Sequence, residues 1–325
     1  MRRCIRIEEI RMTNEVKVIL TDVDDTVAQA FCDISKEMVI ALEQLLERGM
    51  TLIFISGQSF QNIYSRVIGY LSEQSCGQIM VCPCNGAEIY RYSGNKGWVK
   101  DYSILDENVR EEELAAVADF ILERFNLRGI SAGTMEEFLK ESSKSPNEVM
   151  VGNRKVQIAL DFVNGINIKQ FHLPFDAYIG ISEETDIRDI IVQEANQYAE
   201  KCGYQIVACI AGKYAIDLVF KGVNKGLPIR KKVRFDRNFS GRTEGEIVLQ
   251  SSKEIEIWGD SFENESGDFE MSRALPPDVR TIAFRKISDQ VKSTGCNIVE
   301  WDGQYSCNLG LLEYLEKSNK QASKG

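Results

Sequence analysis

An apolar run, Val16-Lys17-Val18-Ile19-Leu20-Thr21, ends in Asp22-Val23-Asp24-Asp25-Thr26, and no other stretch limits the possible folds as tightly. The run reads as a β-strand. Carboxylates at i and i+2 of an extended chain point to the same side. At the carboxyl end of a parallel strand they stand where open α/β sheets bind ligands. Two carboxylates that close repel each other unless a hard cation such as Mg²⁺ is shared between them. One can then attack phosphorus while the other moves protons. The plainer alternative is a strand closing in an acidic turn, since Asp is a common turn residue.

The surrounding pattern supplies such a sheet. A helix is predicted over 35–48, capped by Ser35, with Met38, Leu42, Leu45 and Leu46 on its apolar face and Gly49 at its end. A strand over 51–55, a helix over 59–71 and a strand over 78–82 follow. That β-α-β-α-β order is the signature of a doubly wound parallel sheet. From about residue 92 the pattern changes. A helix over 111–125 leads through a looser stretch into two β-prone runs, 155–163 and 166–168, facing each other across Asn164-Gly165, a strong hairpin signal. A helix over 184–202 ends at Gly203, and strands over 204–210 and 214–220 join at Ala211-Gly212-Lys213. The insert therefore reads as helix-hairpin repeated twice, an α+β unit with an antiparallel sheet. The core resumes with a helix over 225–234, a polar loop over 236–245, a strand over 279–284 and a terminal helix over 309–316.

Three further stretches stand in order behind the first. Leu52-Ile53-Phe54-Ile55 ends in Ser56-Gly57; Gly222-Val223-Asn224-Lys225-Gly226 precedes a helix; Ile255-Glu256-Ile257-Trp258-Gly259 ends in Asp260, with Asp268 eight residues beyond. Singly, Ser56 reads as a turn hydroxyl and Lys225 as a solvated charge. Together and in this order, the four stretches resemble the four motifs of the haloacid-dehalogenase-like (HAD) phosphatases. The twofold αββ insert between the second and third looks like the type IIB cap of Cof-like and phosphomannomutase-like members. The step Asn85-Gly86-Ala87 before Glu88-Ile89-Tyr90 is similar to the same large-cap subgroup, and the resemblance spans residues 16 to about 283.

What the resemblance implies is specific. The fold is an α/β doubly wound, Rossmann-like core, residues 1–91 and 223–325, with an inserted αββαββ cap, residues 92–222, that sets substrate specificity. Asp22 is the nucleophile and Asp24 the general acid and base. Ser56, Gly57 and Lys225 hold phosphoryl oxygens. Mg²⁺ is bound by Asp22, the main-chain carbonyl of Asp24, and Asp260. Asp268 orients Lys225 or a metal-bound water. The acidic run after Asp260 leaves the third ligand open between Asp260, Glu263 and Glu265. The activity implied is Mg²⁺-dependent hydrolysis of a small phosphorylated metabolite, a sugar phosphate, through an aspartyl-phosphate. The alternatives are a phosphosugar mutase, which grips a distal phosphate with cap arginines, and a non-catalytic binding relative. Arg154 is the one cap arginine in a matching place; 157–163 and 166–171 carry none. The non-catalytic reading is disfavoured by four intact motifs.

Composition fits this picture. A length of 325 residues allows a full core and two domains. A net charge of −10 without a basic stripe argues against nucleic acid. The nine cysteines lack metal-type spacing and read as reduced thiols. No run of 18 apolar residues and no signal-peptide pattern is present, so a cytoplasmic enzyme with no membrane partner is expected. Residues 1–11 read as a charged arm, with Met12 an alternative start.

Overall fold

Two compact units make up the computed structural model, which describes residues 10–171, 182, 185–238, 241–243, 245–263 and 267–322. One unit comprises residues 1–102 and 224–325, the other residues 103–223. In the first, β1 (Val18–Thr21) is buried along its whole length. Ile19 packs with Leu42, Leu45 and Leu46 on one face of the sheet, while Val18 and Leu20 pack with Ile53, Ile229 and Ile257 on the other. A strand covered on both faces needs apolar side chains at both phases of its pleat, which the run from Val16 provides.

From β1 the chain continues through α1 (Lys36–Glu47), β2 (Thr51–Ile55), α2 (Phe60–Arg66), α3 (Glu73–Cys76), β3 (Ile79–Cys82), β4 (Glu88–Tyr92) and β5 (Trp98–Ser103). Ser35 and Ser59 cap α1 and α2 by accepting main-chain N–H bonds from Met38 and Asn62. The second unit follows with α4 (Glu111–Arg124), β6 (Arg128–Ser131), α5 (Met135–Glu141), β7 (Glu148–Asn153), β8 (Gln157–Asp161), α6 (Ile187–Cys202), β9 (Ile206–Ala211) and β10 (Ala215–Phe220). The first unit is completed by α7 (Leu227–Lys232), β11 (Val233–Phe235), β12 (Gly241–Thr243), β13 (Glu246–Leu249), β14 (Ile255–Gly259), α8 (Phe269–Arg273), β15 (Arg280–Ala283), α9 (Asp289–Ser293), β16 (Ile298–Glu300) and α10 (Cys307–Ala322).

The main sheet runs β16-β15-β14-β1-β2-β3-β4-β5. It is parallel from β16 to β3, and β4 turns back antiparallel to β3. Thr21 lies level with Phe54 on one side and Trp258 on the other. The residues that follow β1, β2 and β14, namely Asp22, Ser56 and Asp260, therefore leave the sheet at one edge. The expected doubly wound core is present.

The second unit holds a five-stranded sheet, β6-β7-β8-β10-β9, with β6 and β7 parallel and the rest antiparallel. It contains the expected αββαββ order with β6 and α5 added. Three details differ from the sequence reading. The hairpin is β7–β8, turning through Lys155 at φ +67°, not a pairing across Asn164-Gly165. Asn164 instead donates its side-chain amide to Ser142 Oγ and the Ser145 carbonyl, and Ile168–Gln170 forms a 3₁₀ turn. The insert begins near residue 103 rather than 92, because β5 extends the main sheet. The polar stretch 236–245 is not only a loop, for β11, β13 and β12 form a small sheet of their own. The helix expected from 184 is described from Ile187; Glu184, like residues 1–9, lies outside the described residues.

Within this second sheet, Asp161 sits beside Asp217. Burial pushes the Asp161 carboxyl up to about 6, Asp217 adds to the shift, and Arg154 partly offsets it. A carboxyl raised on folding gives stability that is fully present below its ordinary value near 4 and is lost as pH rises through 6. Asp161→Asn, which fixes the uncharged form, should therefore stabilise the protein at pH 7.5, by up to about 3 kcal/mol, and progressively less towards pH 4. Denaturant unfolding at several pH values reads this directly; a variant less stable at pH 7.5 than at pH 4, relative to the parent, would contradict it.

Candidate active site

Asp22 begins where β1 stops. Its N–H still donates to the Trp258 carbonyl at 3.1 Å, so the sheet ladder fixes its main chain, and the side chain is 6% exposed. Lys225, just before α7, places Nζ 2.7 Å from Asp22 Oδ1 and 2.6 Å from Asp268 Oδ1. The other oxygen of Asp268 accepts the N–H groups of Asp260 and Ser261 at 2.9 Å each. Asp268 is wholly buried, and it reaches those amides by packing against the main chain at Gly259. A Cβ there would lie 2.5 Å from Asp268 Oδ2, which is why motif four needs glycine before Asp260. Thr26 donates to Asp260 Oδ1 at 3.2 Å. Asp22, Lys225, Asp260 and Asp268, named from three distant stretches of sequence, thus form one buried cluster.

Ser56 and Gly57 follow β2 at the same edge. Ser56 is 1% exposed, its Oγ accepts the Gln58 N–H, and its carbonyl accepts from Asn85. Asn85 adopts φ +56°, and Gly86 adopts φ +84° where a Cβ would lie 2.3 Å from the Pro228 ring. The Asn-Gly step is thus what lets the turn after β3 pack against the start of α7, next to Lys225. Arg154 belongs to the other unit, in the β7–β8 turn beside Asp161. Glu263 is exposed and stands outside the buried carboxylate group, while Glu265 lies outside the described residues.

The electrostatics are those of charges gathered where water is scarce. Burial raises the Asp22 carboxyl well above the ordinary range; Lys225 opposes this, and Asp268, Asp260 and Asp24 reinforce it. Asp260 is pushed up to about 7 by burial and by Asp268, against the pull of Arg285 and Lys225. Burial also works against the Lys225 charge, but Asp22 and Asp268 outweigh it and hold the ammonium protonated.

Two arginines that nothing in the sequence pointed to complete the group. Arg285, two residues past β15, donates to Asp25 Oδ2 at 2.7 Å and forms an ion pair with Asp260 Oδ2 at 3.0 Å. Arg66, the last residue of α2, pairs with Asp24 Oδ1 at 2.7 Å. Long-range ion pairs leave no local signal, so periodicity and motif spacing could not have found either.

Asp22, Asp260 and Asp268 each offer a carboxylate oxygen, all within 4.8 Å of one another. Asp268 is committed to Lys225 and two main-chain amides, while Asp22 pairs with Lys225 and Asp260 with Thr26 and the partly exposed Arg285, so Asp22 and Asp260 are the pair better able to turn towards an ion. Five carboxylates, Asp22, Asp24, Asp25, Asp260 and Asp268, face three cations, Arg66, Lys225 and Arg285. When all are ionised the surplus is the charge that one divalent cation cancels. Hard oxygen donors with that surplus fit such an ion.

A doubly wound sheet, a buried aspartate after its first central strand and a lysine bridging two carboxylates define a hydrolase class built on carboxylate chemistry. The model of the haloacid dehalogenase-like hydrolases matches residues 19–235, and the chain belongs to that family. No curated protein sequence matches it. Among solved structures, a haloacid dehalogenase-like hydrolase from Bacteroides thetaiotaomicron has a TM-score of 0.55 at 15% identity, over 93% of this chain and 99% of its own. The C-terminal domain of C. albicans trehalose-6-phosphate phosphatase has a TM-score of 0.56 at 13% identity, over 94% and 92%. IMP-bound Plasmodium falciparum IMP-nucleotidase, N-terminally truncated, has a TM-score of 0.51 at 12% identity, over 97% and 70%. At these identities the likeness carries the fold.

The raised carboxyls make a checkable statement about metal. Asp260 contributes stability that is fully present below about pH 4 and is lost as pH rises through 7, and Asp22, also raised, acts in the same sense, so chelated protein should melt lower at pH 7.5 than at pH 5. A divalent cation binds the ionised form, and adding millimolar Mg²⁺ should raise the melting temperature at pH 7.5 and much less at pH 5. Asp260→Asn should flatten the pH slope and abolish the metal response. Thermal melts with chelator and with Mg²⁺ decide it; a metal response that survives in the variant would rule out this pair.

Proposed function

We propose that the chain is a Mg²⁺-dependent phosphohydrolase acting on a small phosphorylated metabolite, a sugar phosphate, through an aspartyl-phosphate on Asp22. The observation that supports this most directly is the buried Asp22 with Lys225 bridging it to Asp268, and Asp24 two residues on with its carboxylate one-quarter exposed. Asp22 is shielded and charge-compensated, as a nucleophile must be; Asp24 is reachable by a proton donor or acceptor.

Asp22, Asp260 and the main-chain carbonyl of Asp24 are the groups proposed to hold Mg²⁺, which would neutralise the meeting of a carboxylate with a phosphate dianion. Asp22 forms a bond to phosphorus as the phosphorus–ester oxygen bond breaks, and Asp24 gives its proton to the departing oxygen. Asp24, now a carboxylate, takes a proton from a water that bonds to phosphorus. The bond from phosphorus to the Asp22 oxygen breaks, inorganic phosphate leaves, and both carboxyl groups return to their starting states. Lys225 sets a fixed positive charge beside the oxygens that gain negative charge, and Ser56 Oγ and the Gly57 N–H are the groups proposed to donate to them. The second unit serves as the specificity cap, and a cytoplasmic location is consistent with these thiols and substrates.

Hydrolysis is favoured over the mutase reading by Arg154. A mutase needs a second phosphate grip in the cap, and the matched arginine stands next to Asp161 and Asp217, where a phosphate would meet like charge. Among solved structures, one named for a sugar-phosphate phosphatase and one for a nucleotidase share the fold.

A panel of hexose and pentose phosphates with Mg²⁺ should release inorganic phosphate steadily, without stimulation by a sugar bisphosphate. Asp22→Asn should lose at least about a thousandfold in turnover because an amide cannot form the acyl phosphate. Retained turnover in that variant would end the mechanism. Conversion of a 1-phosphate to a 6-phosphate faster than phosphate release would establish the mutase instead.

A further inference from the structure

Arg66 spends three donors on three different acceptors. Its Nε donates to the Cys32 carbonyl at 2.9 Å, one terminal nitrogen to the Gln29 carbonyl at 3.0 Å, and the other to Asp24 Oδ1 at 2.7 Å. The Arg66 carbonyl in turn accepts the Ile34 N–H at 2.9 Å. The Arg66 side chain is 13% exposed. It therefore ties α2 to the loop leaving β1 at four points, and one of them is the carboxylate two residues after the proposed nucleophile. The rest of the loop is anchored through other residues: Arg285 and the Ala30 N–H hold Asp25, Thr26 reaches Asp260, and Tyr70 donates to Asp33, whereas the side chain that pairs with the Asp24 carboxylate is Arg66.

We propose that Arg66 is a positioning residue that fixes the Asp24 carboxyl for proton transfer to the leaving oxygen; this rests on the phosphohydrolase reading above. A planar guanidinium held by two main-chain carbonyls has no rotational freedom left, so its third contact sets both the place and the plane of the carboxyl group. The pair engages Oδ1, leaving Oδ2 as the oxygen that carries the proton. Arg66 touches neither phosphorus nor the departing oxygen. Three of its five N–H donors, one on each nitrogen, are engaged by protein acceptors, and an unchanged KM is what separates this role from a grip on substrate phosphate.

A role through the acid can be told apart from a role in folding or phosphate binding by the leaving group. A sugar alkoxide cannot depart without the proton of Asp24, whereas nitrophenolate departs unprotonated. Arg66→Met should therefore cut kcat about tenfold to a hundredfold for the sugar phosphate turned over fastest in the panel. For p-nitrophenyl phosphate the single-turnover release of nitrophenolate, which precedes the water step that also uses Asp24, should change less than about threefold, with KM for both nearly unchanged. Arg66→Lys should recover part of the loss, and Asp24→Asn should show the same selectivity more strongly. Melting temperature and phosphoenzyme trapping with p-nitrophenyl phosphate verify that each variant is folded. Equal losses on both substrates, no loss on either, or a KM effect on both would overturn the assignment of Arg66. If Asp24→Asn slows the single-turnover release of the leaving group equally for both substrates, the acid role of Asp24 fails, and this outcome is separable from failure at Arg66 alone.

Discussion

A buried ammonium between two buried carboxylates is the interaction on which the rest of the first unit depends. Lys225 reaches Asp22 and Asp268 at under 3 Å, and all three are nearly sealed from water. Each charge alone would cost several kcal/mol to bury, and together they are tolerable only with tight geometry. That requirement ties the end of β1, the entry to α7 and the turn between β14 and α8 to one another. It explains the demand for glycine at 259, where Asp268 must press against the main chain to reach two amides. The residues that make the site reactive are the same ones that make it expensive to assemble.

Charge balance then organises the outer ring. Asp25 and Asp260 share Arg285, Asp24 has Arg66, and Asp260 also takes a hydrogen bond from the buried Thr26. Asp25 and Asp260 have both oxygens engaged by protein groups, and Asp24 is held through Oδ1. What remains is a negative surplus concentrated at Asp22 and Asp260, the two groups whose carboxyls burial pushes furthest towards neutrality. A hard divalent ion relieves that surplus in a way a protein cation cannot, since it binds oxygens of both groups at once. The second unit has its own version of the same tension in Asp161 and Asp217, with Arg154 beside them.

The sequence misled where a local signal met a tertiary preference. Asn164-Gly165 has the residues of a tight turn, yet the strand after it never forms, because β8 already has β7 and β10 on its two sides. A central strand has no free edge to offer a third partner. Asn164 is used instead to tie down 142–145 with its amide. In the same way β5 was invisible as a core strand: Trp98, Tyr102 and their neighbours read as the start of something new, and only pairing shows that they extend the main sheet.

What the sequence determined by itself were the elements whose cause is local or periodic. The buried β1, the apolar face of α1, its Ser35 cap, the αL glycine ending α6 and the four motif stretches all follow from side-chain spacing and turn chemistry within a dozen residues. The order and strand context of those stretches carried the resemblance to the HAD phosphatases, and that resemblance nominated Asp22, Ser56, Lys225, Asp260 and Asp268. Only the tertiary structure decided which oxygen meets which donor. Arg66 lies 42 residues from Asp24, and Arg285 lies 260 residues from Asp25. Such pairs are selected by the charge left over when the sheet closes, and that quantity exists only once the strands have brought the carboxylates together.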